Sequence, residues 1–225
     1  MPPPNQAVRV WDAPTRLFHW GIVVLVATSW VTQHQGWLNL HFLSGYTILA
    51  ALLFRLAWGC VGSDTARFVR FLKGPGAALH HLAHLYRREP DSEVGHNAVG
   101  GWMVVLMLAL LCVQVGTGLC SNDQISTQGP LADWVGPEDS DWLSHIHAVN
   151  FRLIEAAIAL HVLAIVIYRV LKGHNLVGPM ITGNKTLPHA TTPPRHASPL
   201  LAATLFLAAA IIVAGGVWWF GGWPV

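Results

Sequence analysis

The stretch His147–His161, HAVNFRLIEAAIALH, decides how this chain is read. It lies inside a long apolar segment, yet it carries two histidines, an arginine and a glutamate. Ionisable side chains inside a bilayer are costly, turn toward the protein interior and mark function. The segment around it, Leu143–Leu171, is more than long enough to cross a hydrocarbon core of about 30 Å at about 1.5 Å per residue.

Outward from this stretch, four more segments have the length and apolarity of spans: Leu17–Thr32, Leu38–Val61, Ala98–Leu119 and Pro199–Phe220. The 225-residue chain is 53% hydrophobic and only 11% charged, against roughly 25% charged residues in a soluble domain. That excludes an ordinary soluble enzyme and predicts an all-α transmembrane helical bundle. Helices are expected because lipid offers no partner to open backbone groups, and strand-like alternation is absent. Cys60, Cys112 and Cys120 have no C-x-x-C spacing and no C-x-x-C-H, so they are expected to be free, buried thiols rather than haem attachment points. The N-terminal MPPPNQAVRVWDAPTR lacks a short apolar core with a cleavage site, so the first span is expected to be a permanent anchor.

Basic residues set the direction. Arg9 and Arg16 precede the first span; Arg67, Arg70, Lys73, Arg87 and Arg88 lie between the second and third; Lys172, Lys185 and Arg195 lie between the fourth and fifth. Gln33–Trp37 and Ser121–Trp142 have no Lys or Arg, and the latter holds Asp123, Asp133, Glu138, Asp139 and Asp141. The positive-inside rule then predicts a cytoplasmic N-terminus and a periplasmic C-terminus, with WWFGGW as an outer aromatic belt. Gly74–Arg88, with His80, His81 and His84, is expected to lie on the cytoplasmic surface as an amphipathic helix whose histidines form its polar face.

The histidines sort by depth. His161 lies about 21 Å along the helix from His147, and fourteen residues return to within about 40° of the same face. His41 shares the outer level with His147, and His19 shares the inner level with His161. Four histidines thus form two stacked pairs, each able to clamp one flat ligand. A lone histidine in a span is most simply a hydrogen-bonded core residue. Zinc is the competing metal, but it takes three or four close ligands. A histidine pair suits haem iron. Gly45, one turn after His41, is a low wall for a macrocycle or a helix-packing residue. Arg55, on the face of His41 at the inner level, and Arg16, one turn before His19, are candidate partners for propionates or cytoplasmic anchors. Arg152, about 140° round the helix from His147, is not expected to reach an outer cofactor; Glu155 is placed to neutralise it.

These residues resemble a known family. VWDAPTRLFHW (Val10–Trp20), HFLSGY (His41–Tyr46), FRLAWG (Phe54–Gly59), GHNAVG (Gly95–Gly100), TGL (Thr117–Leu119), the His-x13-His of the fourth span and NLVGPMITG (Asn175–Gly183) are similar to the bacterial di-haem cytochrome b family. That family includes hydrogenase cytochrome b subunits and small quinone-linked b-561 cytochromes. Ala98 replaces the proline the family often has there. The resemblance implies two bis-histidine haems b on His19, His41, His147 and His161, in a four-helix core over residues 1–184 with an interfacial segment near 64–94. Residues 185–225 are then a linker and a fifth transmembrane helix.

The expected function is electron transfer across the inner membrane between the quinone pool and a periplasmic c-type cytochrome or redox complex. His96 and Trp102 are candidate quinone-lining residues, or ordinary interface anchors. The alternatives are a superoxide-oxidising quinone reductase, which a basic outer surface would favour, and a membrane anchor and conduit for a peripheral oxidoreductase such as a hydrogenase. Expected partners are lipid, quinone and a redox protein, not nucleic acid.

Overall fold

A computed structural model describes residues 5–83, 93–125, 127–188 and 191–221. The elements run β1 (Asn5–Arg9), α1 (Ala13–His34), α2 (Leu38–Val61), α3 (Phe68–Phe71), α4 (Pro75–Ala83), α5 (Ala98–Leu119), α6 (Ala132–Val135), α7 (Pro137–Ile167), α8 (Val177–Thr182), β2 (Asn184–Pro188) and α9 (Pro199–Trp219). A π-helical turn, Tyr168–Lys172, extends α7. Of the expected surface helix, α4 is present; His84, Arg87 and Arg88 lie outside the described residues, as does Trp223 of the aromatic belt.

The chain is an all-α transmembrane bundle. Among the described residues four helical segments are long and apolar enough to cross a membrane: Leu38–Val61, Ala98–Leu119, Pro137–Lys172 and Pro199–Trp219. Only 17% of the apolar window of Pro137–Lys172 is buried inside the protein, so most of it is left to face lipid. α1 has 22 residues but is less apolar than these four, because Arg16, His19, Thr28, Ser29, Thr32, Gln33 and His34 lie along it. The cysteines are free, but Cys60 and Cys112 are exposed rather than buried. On an apolar helix surface a thiol behaves as a small hydrophobe.

The chain forms two compact units, one of Met1–Leu17, Leu56–Leu106 and Ile158–Ala202, the other of Phe18–Arg55, Met107–Ala157 and Ala203–Val225. In the first, β1 pairs antiparallel with β2, from Gln6 against Leu187 to Arg9 against Asn184. The alternation is that of a half-buried strand: Val8 and Val10 are buried, Ala7 and Arg9 exposed. Val8, Val10, Trp11 and Leu187 make a small core, with Val94 and Met180 against it. The chain enters β2 through Gly183, whose φ of +87° suits glycine and whose carbonyl accepts from the amides of Val10 and Trp11.

Asp12 ends this strand region and caps α1. Its carboxylate accepts from the Thr15 amide at 2.7 Å and from Trp58 Nε1 at 3.0 Å. Both Asp12 and Trp58 are buried. Nearby, Asp64 ties down the approach to α9. It donates its amide to the Arg195 carbonyl, accepts the Arg195 amide at 3.1 Å, and pairs with Arg67 at 2.6 Å. The Arg195 amide holds the Asp64 carboxyl below the usual carboxylate range, with Arg67 and Arg70 adding to it against the cost of desolvation.

In the second unit α9 packs on α2. Val213 and Val217 join Tyr46 and Ala50 in one buried cluster, and the rings of Phe54 and Phe206 meet edge to face at 5.9 Å. The Ser29 and Ser44 hydroxyls hydrogen-bond between α1 and α2.

Replacing Asp12 by Ala removes a helix cap and strands a buried indole N–H; the expected loss is about 2 kcal/mol or more, read as a lower thermal midpoint in detergent. The Asp64 tie has a depressed folded pKa. Its contribution is therefore full above the ordinary carboxylate pKa of about 4 and is lost as pH falls through the folded value. Exchange protection of the Arg195 amide should fall with acid in the native chain and be pH-independent in Asp64→Asn.

Candidate cofactor site

His41 lies in the first turn of α2 and His147 in α7, both in the second unit. Their ring centroids are 6.4 Å apart, with planes at 80°. Two metal–nitrogen bonds of about 2 Å in line between two imidazoles put the ring centres roughly 6 Å apart. The spacing therefore fits one metal ion between the rings.

The tautomers suit the same fit. His41 Nδ1 is 2.9 Å from the Ser29 carbonyl, and His147 Nδ1 is 2.9 Å from the Gln114 carbonyl. A carbonyl only accepts, so each Nδ1 carries the proton and each Nε2 keeps its lone pair. This is the outer bond that orients a metal-ligating histidine. The lone pair of His147 Nε2 accepts from the Gln114 side-chain amide at 3.0 Å; a metal at Nε2 takes the place of that donor. Asn150 fixes Gln114 by donating to its Oε1 at 2.8 Å and to the Leu110 carbonyl at 2.9 Å.

Space accompanies the pair. A cavity of about 680 Å³ is lined by His41, His147, Gly45 and Gln114, with apolar walls that include Val26, Ile48, Leu111 and Val115. Cofactor sites typically occupy about 300–1,000 Å³. A Cβ on Gly45 would meet nothing within 4 Å, whereas one on Gly118 would lie 2.9 Å from His147 Cε1. Gly118 thus lets the imidazole lie against α5, and Gly45 leaves the cavity wall low. Arg152 and Glu155 line the same cavity, although the helical angle put Arg152 out of reach. No ion pair joins it to Glu155 among the described residues.

The other expected site residues are distributed as follows. His19 is half-buried in the second unit, edge-on to Trp20 at 5.0 Å. Arg55, in the same unit, is only 2% exposed, a burial that a guanidinium tolerates only with hydrogen-bonding partners. His161 is half-buried in the first unit. Arg16, also there, donates to the Ile181 carbonyl beside Gly183. His96 is held between Trp11 and Phe71, each ring 4.7 Å away, and lines a recess of about 310 Å³ with Thr65, Arg70, Lys73 and Glu93. Trp102 donates Nε1 to the Lys73 carbonyl and is 44% exposed. Among the described residues no group of three or more His, Cys, Asp or Glu side chains gathers to hold a metal ion, so a zinc centre of three or four such ligands is not formed by them.

One polar knot escaped the sequence reading. Tyr168 is buried at the π-helical turn, and its hydroxyl meets His81 Nε2 at 2.6 Å and Asn97 Nδ2 at 2.9 Å. Asn97 accepts the Gly100 amide at Oδ1, which caps α5 and leaves its NH2 to donate to the tyrosine. His81 therefore fastens α4 instead of forming its polar face. The one available signal was Asn97, an N-cap residue before an apolar run.

Known proteins resemble this chain in sequence. A family model described as prokaryotic cytochrome b561 matches residues 10–183. A probable Ni/Fe-hydrogenase B-type cytochrome subunit of Rhizobium leguminosarum bv. viciae is 24% identical over 80% of this chain and 90% of its own. Proteins of the same description from Azotobacter vinelandii and Azotobacter chroococcum mcd 1 are 29% and 28% identical, over 47% and 58% of this chain and 52% and 68% of theirs. No solved structure matches. The family match begins at the buried Val10 and ends at the Gly183 turn that receives it, taking in both cavity histidines on the way: the chain belongs to the prokaryotic cytochrome b561 family.

Proposed function

We propose that this chain carries electrons across the bacterial inner membrane on two haem b groups, one held by His41 and His147 and one by His19 and His161. The family makes it a membrane b-type cytochrome with an electron-transfer role. The observation that carries the finer reading is the facing pair in the second unit: two imidazoles 6.4 Å apart, each with Nδ1 on a backbone carbonyl. A haem b held by two histidines would supply one-electron transfer and would leave no place for a substrate on the iron.

The chain's own residues do the rest. Ser29 and Gln114 fix tautomer and ring direction through their carbonyls. Gly45 leaves room for a macrocycle, and Gly118 leaves room for the His147 ring. Apolar walls exclude water and raise the effect of every nearby charge. Arg16 and Arg55 are our candidates for propionate partners at the inner level, and His96 and Trp102 for the quinone headgroup site, where the recess beside His96 supports the reading. The distribution of Lys and Arg supports a cytoplasmic N-terminus and a periplasmic C-terminus. The acidic Ser121–Trp142 stretch suits a basic periplasmic c-type cytochrome. A second reading, membrane anchor and electron conduit of a peripheral oxidoreductase, is favoured by the relatives' description as hydrogenase cytochrome subunits.

A redox titration of the purified protein by visible absorption tests the proposal. Two b-type haems should titrate. Ala at His41 or His147 should remove one of them, and Ala at His19 or His161 the other. A His147→Ala protein that still binds two haems ends the reading. Gly118→Ala, whose methyl collides with the His147 ring, should lower affinity for the same haem by about tenfold, measured as pigment per protein during haem titration.

A further inference from the structure

We infer that Arg152 binds the carboxylate edge of the planar cofactor held between His41 and His147. This rests on the ligand assignment above and adds a residue to it. The cavity between those histidines is lined mostly by apolar and neutral side chains, and Arg152 is the one Arg or Lys among its described lining residues. It projects from the middle of α7, inside a segment apolar enough to cross the membrane. A guanidinium at that depth needs an anionic or carbonyl partner. Glu155 lines the same cavity, yet no ion pair to Arg152 occurs among the described residues. The cation is therefore available to a ligand, and its planar fork matches a carboxylate in two parallel hydrogen bonds. A haem b carries two carboxylates on one edge, and the histidines fix its plane.

The charge has an electrical consequence. Positive charge beside the iron favours the reduced state, which carries one positive charge fewer, so Arg152 raises the potential of this haem alone. The test uses the full-length holoprotein. Arg152→Gln should lower the midpoint potential of the haem that His147→Ala removes, leave the other unchanged, and speed transfer of that one haem to an apomyoglobin acceptor several-fold. Arg152→Lys, which keeps the charge, should recover most of the potential but less of the retention. Unchanged potential and transfer rate in Arg152→Gln, with one haem missing from His147→Ala, overturns this inference alone. Retention of both haems in His147→Ala overturns the ligand assignment and this inference with it.

Discussion

Everything in this chain is subject to one constraint: inside hydrocarbon a polar group needs a partner, because there is no water to supply one. The second unit shows how that is met. Asn150 is buried in α7 and spends both of its donors on α5, at the Leu110 carbonyl and Gln114 Oε1. Gln114 is thereby aimed at His147. The His147 and His41 rings give their Nδ1 protons to carbonyls of neighbouring helices. Each partner is fixed by the next, and the two rings at the end of the chain of bonds line one cavity, with the His147 Nε2 lone pair on the Gln114 amide. The facing pair is thus a consequence of satisfying helix-to-helix polar contacts.

The first unit obeys the same constraint with other means. Here backbone groups are paired by a strand ribbon and by side-chain caps. β1 and β2 pair only with each other, and a two-stranded ribbon is marginal alone. Here it is held by the buried side chains of Val8, Val10, Trp11 and Leu187 and by Asp12, which joins the end of the ribbon region to α1 and to Trp58 of α2. Tyr168 plays the matching part at the end of α7, drawing His81 and Asn97 together. The π-helical turn there widens the backbone just where the tyrosine is placed.

What the sequence disclosed follows from range. The limits of α2 and α5 coincide with the apolar runs read from it, because hydropathy is local and glycine, proline and polar residues punctuate it. The facing of His41 and His147 was also legible, since helical period and depth are local quantities. The strand pairing was not. Asn5–Arg9 and Asn184–Pro188 lie far apart in sequence, each is only five residues long, and neither looks like a strand until the other is beside it. His81 was read as surface for the same reason: its fate depends on a tyrosine that sequence distance hides. Arg152 lines the cavity of about 680 Å³ despite its angular offset from His147, because a four-bond side chain is not confined to the direction of its helical position.

The weak hydropathy of α1 can now be explained rather than excused. Thr28, Ser29 and Thr32 dilute it, and each is used. Thr32 Oγ1 donates back to the Thr28 and Ser29 carbonyls, the Ser29 hydroxyl meets Ser44 on α2, and the Ser29 carbonyl takes the His41 proton. A purely apolar helix in this place would cross a membrane more readily but would lose the hydroxyl that meets Ser44 and the Thr32 side chain that shares the Ser29 carbonyl with His41. The polar residues that make α1 the least apolar of the long helices are therefore the ones that fasten it to α2 and surround the carbonyl on which the His41 ring is oriented.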